Sequence, residues 1–162
     1  MNNKEKLEVF FEVAGKINKE FNVLPILYGS LGLSQAIKTE METNDIDIKI
    51  PENVRVSRWT DLQKMMGDIG FELTNDEGGE FMRNDCMVSI ARDELMWYAE
   101  IDSAKLEIVK NDKCEYKVVS PKQYLRIYQR SLKDNYRREK NNSKDLERIA
   151  LIEKYLKENE EK

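Results

Sequence analysis

Two carboxylates, Asp45 and Asp47, are separated by one residue in the segment 45–50, where polar and apolar side chains alternate. Such alternation predicts a β-strand, in which side chains two residues apart project from the same face. The two carboxylates would then stand about 6.5–7 Å apart along the backbone, close enough to bind one hard cation or to bridge two. Charges on a strand can also serve only to discourage edge-to-edge pairing, so the doublet alone leaves both interpretations open.

A Gly-Ser pair stands upstream of the aspartates. Gly29 and Ser30 lie between a short apolar run, residues 23–28, and a segment that could form a short helix, residues 31–37. A small-residue turn into a helix leaves room for a phosphate against free backbone N–H groups at the positive end of the helix dipole. An ordinary turn would have the same composition. Combined with the aspartates, the pair predicts a site that holds a triphosphate at one end and its metal ions at the other.

The segments LYGSLGLSQAI and NDIDIKIP together resemble the nucleotidyltransferase superfamily that includes DNA polymerase beta and the small antibiotic nucleotidyltransferases. The signature of that superfamily is Gly-Gly or Gly-Ser, a helix, and then two acidic residues flanking a hydrophobic one on the next strand. Gly29, Ser30, Asp45 and Asp47 match it. The C-terminal NNSKDLERIALIEKYL is similar, more weakly, to the helix that closes minimal members.

The resemblance implies transfer of a nucleoside monophosphate from an NTP to an acceptor hydroxyl on a small molecule, protein or RNA, with Mg²⁺ or Mn²⁺ as cofactor. Asp45 and Asp47 would be catalytic metal ligands, and Gly29 and Ser30 would bind the β- and γ-phosphates. Further positive charge for the triphosphate could come from a basic C-terminal segment, although a solvated helix face would look the same. The candidate residues there are Lys133, Arg137 and Lys144.

The superfamily also carries a third carboxylate on a later strand, where this sequence has Ser89 within CMVSIARDEL. Serine is a poor Mg²⁺ ligand and does not accept a proton at neutral pH. Asp102, in AEIDSA, ranks first among the possible catalytic substitutes, ahead of Glu80, Asp93 and Glu100. The alternative function is a catalytically weak or inactive nucleotidyltransferase-like binding or regulatory protein of the toxin–antitoxin or phage-defence type, with a protein partner.

The elements that position these residues follow from periodicity and capping signals. Helices are predicted over 4–21, after Ser57 as N-cap, from Ser120 and Pro121, and after Ser143 as N-cap, the last with Leu146, Ile149, Ala150, Tyr155 and Leu156 inward. Strands are predicted over 71–74, 80–83, 86–91, 106–109 and 115–119. This order predicts one α+β nucleotidyltransferase-like domain over 1–162, with a mixed β-sheet flanked by helices in 1–120 and closing helices in 121–162.

Composition restricts the chemistry. The 162 residues include no histidine, which excludes Ser-His and Cys-His nucleophile systems. The net charge is −4, but the segment 122–148 holds nine Lys or Arg against four Asp or Glu. The acidic pI of about 5.2 argues against a dedicated DNA-binding protein. No signal peptide or membrane-length apolar run is present, so we expect a cytoplasmic protein with no membrane partner and with Cys86 and Cys114 reduced.

Overall fold

A computed structural model of the protein describes residues 1–134 and 139–160. Its helices are Asn3–Phe21 (α1), Gly29–Ala36 (α2), Glu52–Arg55 (α3), Trp59–Asp68 (α4), Leu95–Ala99 (α5), Pro121–Asp134 (α6) and Glu139–Glu160 (α7). Its strands are Ile26–Tyr28 (β1), Ile46–Ile50 (β2), Glu72–Asn75 (β3), Glu80–Arg83 (β4), Cys86–Arg92 (β5), Glu107–Lys110 (β6) and Glu115–Val118 (β7). The segment MWYAEID, which is ambiguous in sequence, contributes most of α5.

The strands form one mixed sheet in the order β3-β4-β5-β2-β1-β7-β6. Two pairs, β1 with β7 and β2 with β5, are parallel, and the other four neighbouring pairs are antiparallel. The predicted α+β class with a mixed sheet flanked by helices is confirmed. The predicted pairing across KNDKC is also confirmed, because β6 and β7 are antiparallel neighbours.

The two faces of the sheet carry different layers. On β2, Ile46, Ile48 and Ile50 are buried in a core that they share with α1 and α4. The alternate positions, Asp47 and Lys49, therefore project from the opposite face. A second core, built on α2, α5, α6 and α7, covers part of that opposite face. The predicted alternation thus aims the polar side chains of β2 at the boundary between the sheet and the C-terminal helices.

Helix starts agree with the sequence in one place and differ in another. Ser120 caps α6 as predicted, since its Oγ accepts from Gln123 N at 3.2 Å while Gln123 Oε1 accepts from Ser120 N at 2.8 Å. The prediction of Ser57 as the N-cap of the helix that corresponds to α4 was wrong. The N-cap of α4 is Arg58, which makes no side-chain capping bond. The extra turn α3 occupies residues just before it and shifts the start.

The C-terminal helix differs from its predicted start and face. Residues Glu139–Glu160 are helical, so Ser143, the predicted N-cap, lies within the helix. Leu146 is 55% exposed rather than inward, and two charged residues, Asp145 and Arg148, are buried instead. Ser131 of α6 donates to Asp145 Oδ2 at 2.9 Å, and this bond offsets the burial of the carboxylate. The prediction of the inward face is therefore wrong at Leu146, whereas Tyr155 and Leu156 pack against the second core as expected.

Two further expectations from the sequence concern membrane-spanning helices and the two cysteines. Within the part of the chain that the structure describes, no helix combines the length and apolar character needed to cross a bilayer. Cys86 and Cys114 are both buried free thiols, as expected.

Helix α6 reaches the site layer through a close contact with α2. A Cβ on Gly32 would lie 2.2 Å from Tyr124 Oη and 2.9 Å from Leu27 O, so only glycine permits this approach. Tyr124 is 1% exposed, and its hydroxyl has no hydrogen-bond partner among the described residues. A buried hydroxyl without a partner costs about 1–3 kcal/mol.

Tyr124→Phe is therefore expected to leave the free energy of unfolding unchanged or to raise it by up to about 1 kcal/mol, because it removes an unsatisfied group and keeps the ring. Urea denaturation of wild type and variant measures this. Tyr155→Phe, at a half-buried position on α7, is the matched control. A loss of more than about 1 kcal/mol would mean that the Tyr124 hydroxyl makes a stabilising hydrogen bond.

Candidate active site

The start of α2 and the carboxylate of Asp47 are in direct contact. Tyr28, the last residue of β1, pairs with Asp47 across the antiparallel β1–β2 ladder, so the following residue meets the Asp47 side chain. Gly29 has a φ of +69°, and a Cβ there would lie 2.1 Å from Asp47 Oδ2. Both the backbone conformation and the lack of space require glycine. The structure therefore brings together Gly29 and Asp47, two of the residues that the sequence singled out.

Asp45 and Asp47 converge as well. Their carboxyl groups lie within hydrogen-bond reach of each other. Burial, and then the charge of Asp45, raise the pKa of Asp47 to about 7 from its ordinary 3.8, while Lys49 and Lys144 oppose that rise. Two hard oxygen donors held together against their mutual repulsion fit a divalent cation, which would relieve that repulsion.

The pair would not complete a coordination sphere by itself. Among residues 1–134 and the described part of α7, no group of three or more His, Cys, Asp or Glu side chains is placed to hold a metal ion. Mg²⁺ commonly binds one or two carboxylates and completes its shell with water and substrate phosphates. The donor set at Asp45 and Asp47 suits that mode of binding rather than a structural metal site.

The N-terminus of α2 is open to an anion. The helix begins at Gly29, two residues earlier than predicted, so the Gly-Ser pair forms its first turn. The N-cap residue, Tyr28, makes no side-chain capping bond, and Ser30 is half-buried. The first N–H groups of a helix have no partner within the helix, and the dipole there favours negative charge. Such N–H groups can donate to a phosphate.

The loop that delivers Asp45 is anchored to α1 by residues that the sequence analysis missed. Lys6 is buried, and its Nζ donates to Thr43 O and, at 2.8 Å, to Thr43 Oγ1. Thr43 Oγ1 donates to Asn3 Oδ1 at 2.7 Å, and Asn3 Nδ2 donates to Met41 O at 3.0 Å. A lysine on the apolar face of a predicted helix was the available signal. The network fixes the entry of the chain into β2.

The third carboxylate position is occupied by Ser89. Ser89 pairs with Asp47 across the parallel β2–β5 ladder, and its Oγ donates to Gly78 O at 3.4 Å. Glu80 pairs with Ser89 on the far side and therefore projects from the same face. The Glu80 carboxyl carbon lies 3.5 Å from the position of a Cβ on Gly78, beside the serine. Glu80 is thus the next carboxylate along this row of the sheet.

Asp102, ranked first from the sequence, lies elsewhere. Its carboxylate accepts from Ala104 N at 3.0 Å and caps the 3₁₀ turn Ser103–Lys105. It lines a cavity of about 950 Å³ with Trp97 and Asp93, and neither Gly29 nor Asp47 borders that cavity. The structure therefore does not bring Asp102 together with the aspartate pair. Local sequence patterns do not distinguish an aspartate on a strand from one that caps a turn.

The three basic candidates have different positions. Lys144 is exposed on α7, and its charge acts on the pKa of Asp47, so it faces the aspartate pair. Lys133 is exposed at the last turn of α6 and lines an outer cavity with Trp97 and Arg130. Arg137 lies outside the described residues. Of the two described candidates, Lys144 is the one whose charge acts on Asp47.

A cavity of about 320 Å³ opens beside Gly29, between β1, β2, α5 and α6. Its lining includes Gly29, Lys49, Glu94 and the tyrosines Tyr28, Tyr98, Tyr124 and Tyr128. Lys49 Nζ lies 4.6 Å from the centre of the Tyr28 ring, and burial lowers the pKa of this ammonium. Lys49 shares the Asp47 face because the two residues are two positions apart on β2. The cavity itself depends on which helix covers the sheet, and the sequence does not show that.

Gly29→Ala is expected to destabilise the protein by about 2 kcal/mol or more, because the alanine would adopt a left-handed conformation and its methyl group would collide with Asp47. Chemical denaturation measures the loss. Gly67→Ala is the matched control: it lies in α4 with nothing within 4 Å of the new methyl group and should stabilise slightly. Equal stability of the two variants would contradict the close packing of Gly29 on Asp47.

Asp47→Asn is expected to stabilise the protein in metal-free buffer above pH 7. The folded pKa of Asp47, about 7, exceeds its ordinary 3.8, so the native state binds the extra proton between these values. The stability contribution of wild-type Asp47 is therefore complete below about pH 4 and is lost as the pH rises to 7. Denaturation from pH 4 to 8 should show that the free energy of unfolding of the variant rises by about 1–3 kcal/mol relative to that of wild type over this window.

The exposed carboxylate Asp85, in the turn between β4 and β5, provides the control variant Asp85→Asn, for which no such divergence is expected. Parallel pH curves for wild type and Asp47→Asn would show that the Asp45–Asp47 pair carries no repulsion. Addition of Mg²⁺ at pH 8 should raise the stability of wild type alone, because the cation compensates the paired charges.

No protein-family model matches the chain. The sequence is 33% identical over 149 residues to "Uncharacterized protein YnaI" of Bacillus subtilis (strain 168), covering 91% of this chain and 96% of that protein. Identity at this level over nearly the full length of both chains shows that the two proteins are members of one family.

Two solved structures share the fold. ANT(2")-Ia, in complex with adenylyl-2"-tobramycin, matches with a TM-score of 0.58 and 15% identity over 94% of this chain and 90% of that one. An antigenic nucleotidyltransferase-like protein from Paracoccidioides brasiliensis matches with a TM-score of 0.60 and 15% identity over 91% of this chain and 75% of that one. The chain therefore belongs to the family of YnaI, and its fold is that of the nucleotidyltransferase-like superfamily.

Proposed function

We propose that the protein is a Mg²⁺- or Mn²⁺-dependent nucleotidyltransferase that transfers a nucleoside monophosphate from an NTP to an acceptor hydroxyl. The observation that carries the proposal is the contact between Gly29 and Asp47 Oδ2, with the Asp45 carboxyl in reach of the same point. This places an anion-binding helix start and a pair of hard oxygen donors at one location. A triphosphate with its divalent cation presents the complementary groups.

The residues of the site have the following roles in this proposal. Backbone N–H groups at Gly29 and Ser30 bind the β- and γ-phosphates, and Asp45 and Asp47 hold the divalent cation. When bound, the cation stabilises charge on the attacking and leaving oxygens. Lys144, whose charge already acts on Asp47, adds positive charge near the triphosphate. The acceptor oxygen forms a bond to the α-phosphorus, the bond from that phosphorus to the β-bridging oxygen breaks, and pyrophosphate leaves.

Glu80 takes the role of general base in this proposal. The acceptor hydroxyl must lose its proton, and Ser89, next to Asp47, does not accept one at neutral pH. Glu80 stands one strand beyond Ser89 on the same face, about 9–10 Å from Asp47 by strand spacing. That separation leaves room for an acceptor hydroxyl or a bridging water between the carboxylates. It also agrees with a base that is not itself a metal ligand.

The acceptor is a small molecule in the version of the proposal that the fold neighbours favour. ANT(2")-Ia has been captured with adenylyl-2"-tobramycin, which is a nucleotidyl adduct of a small molecule. Protein and RNA acceptors stay within the proposal. The alternative, a nucleotidyltransferase-like regulatory protein without turnover, would retain the fold and the phosphate site but not the reaction.

The first test is NTP binding with and without Mg²⁺ or Mn²⁺, measured by thermal shift on wild type, Asp45→Asn and Asp47→Asn. We expect an NTP to raise the melting temperature of wild type only when metal is present, because a ligand that binds the native state stabilises it. Both variants should lose the metal-dependent shift. A shift that survives in both variants would remove the aspartates from the proposal.

The second test is turnover with labelled NTP and a panel of hydroxyl acceptors. Glu80→Gln should lower the rate by about 10²-fold or more while leaving NTP binding intact, as expected for loss of a general base. Glu72→Gln, an exposed carboxylate on the edge strand β3, is the matched control and should retain full activity. Metal-dependent NTP binding without transfer to any acceptor would favour the regulatory alternative.

A further inference from the structure

We propose that the cavity beside Gly29 binds the guanine base of GTP, with Lys49 donating to guanine O6 and Glu94 accepting from guanine N1–H and N2–H. This assignment rests on the proposed function, because it takes the phosphates of the same nucleotide to lie at Gly29. It adds a choice of donor nucleotide, which the motif residues do not determine.

The location of the cavity is the first step. Gly29 belongs both to the phosphate site and to the lining of this cavity, so a ligand that binds phosphate there can extend directly into it. The volume of about 320 Å³ is at the lower end of the range for small-ligand pockets and suits one ring system rather than a large acceptor. Tyr98 and Tyr128 are half-buried in its wall and offer ring surface to a flat base.

Lys49 supplies a positively charged donor with no carboxylate partner. It is half-buried, lines the cavity, and forms no salt bridge with any carboxylate in the described part of the chain. Its ammonium lies over the face of the Tyr28 ring, 4.6 Å from the ring centre. A lysine has three donors and no acceptor, so the ligand group that meets it must be an acceptor.

Glu94 supplies the acceptor on the same cavity. Its Oε1 accepts from Arg92 Nε, and Arg92 also donates to Glu52 Oε1 at 3.1 Å, so the guanidinium holds the carboxylate in place. Lys49 and Glu94 line the cavity together, and the charge of Glu94 acts on the Lys49 ammonium although no salt bridge joins the two side chains. An ionised carboxylate accepts only, so the ligand group that meets Glu94 must offer N–H donors.

The hydrogen-bonding edge of each base determines whether that base fits Lys49 and Glu94. Guanine presents one acceptor, O6, followed by two adjacent donors, N1–H and N2–H, which suits a lysine next to a carboxylate. Adenine and cytosine place a ring acceptor directly beside their single amino group, and that lone pair would face the carboxylate. Uracil has one N–H between two carbonyl oxygens. Guanine is the base that gives the carboxylate two donors while it gives the lysine an acceptor.

The test measures binding of GTP, ITP, XTP, ATP, UTP and CTP to the full chain with Mg²⁺ by calorimetry. We expect GTP to bind roughly tenfold or more tightly than ATP, UTP and CTP, with ITP between them because it lacks the 2-amino group. Glu94→Gln should weaken GTP binding by roughly 10- to 100-fold. It should strengthen XTP binding, because the O2 carbonyl of the xanthine base accepts from the new amide. Glu52→Gln removes the other partner of Arg92 without touching the cavity and should retain the GTP preference.

The outcomes separate this inference from the function on which it rests. Equal affinity for all the nucleotides, or a GTP preference that Glu94→Gln leaves unchanged, would overturn guanine selection and leave the nucleotidyltransferase proposal standing. Failure of every nucleotide to bind wild type in the presence of Mg²⁺ would overturn both. Lys49→Gln should reduce the advantage of GTP over ATP, and full retention of that advantage would also contradict the assignment.

Discussion

The contact between Gly29 and the Asp47 carboxylate is the constraint on which the site depends. It exists because β1 ends at Tyr28 directly opposite Asp47 and the chain turns at once into α2 through a positive φ. Any side chain at Gly29 would push the helix start away from the carboxylate. The same residue therefore fixes two distances: from the first N–H groups of α2 to the carboxylate pair, and from that pair to the adjoining cavity.

The surrounding fold holds the Asp45 and Asp47 carboxylates close together despite their mutual repulsion. Asp45 and Asp47 face each other in a half-buried setting, and burial together with like charge raises the pKa of Asp47 to about 7. The chain holds them there through the β1–β2 ladder on one side and the Lys6–Thr43 anchor on the other. Such an arrangement is costly without a ligand and favourable with a cation, which is typical of functional sites rather than of structural ion pairs.

The C-terminal helices complete the site from the opposite side. Gly32 lets Tyr124 approach α2 closely, so α6 covers the polar face of the sheet next to Lys49. Ser131 of α6 and Asp145 of α7 are joined by a hydrogen bond, which couples the last two helices near the cavity. The site is thus a cleft between the sheet and the helical layer, and both of its walls are needed to shape the cavity.

The sequence by itself determined the chemistry of the site, because that chemistry is local. Gly29 and Ser30 at the start of a helix, and two aspartates on one strand face, depend on backbone geometry over a few residues, which periodicity and turn residues encode directly. The tertiary structure decided the rest. Strand register between segments distant in sequence decides that Glu80, rather than Asp102, stands in line with Ser89. The burial of Asp145 and the cavity at Lys49 depend on which helix covers which face, and apolar periodicity does not contain that pairing.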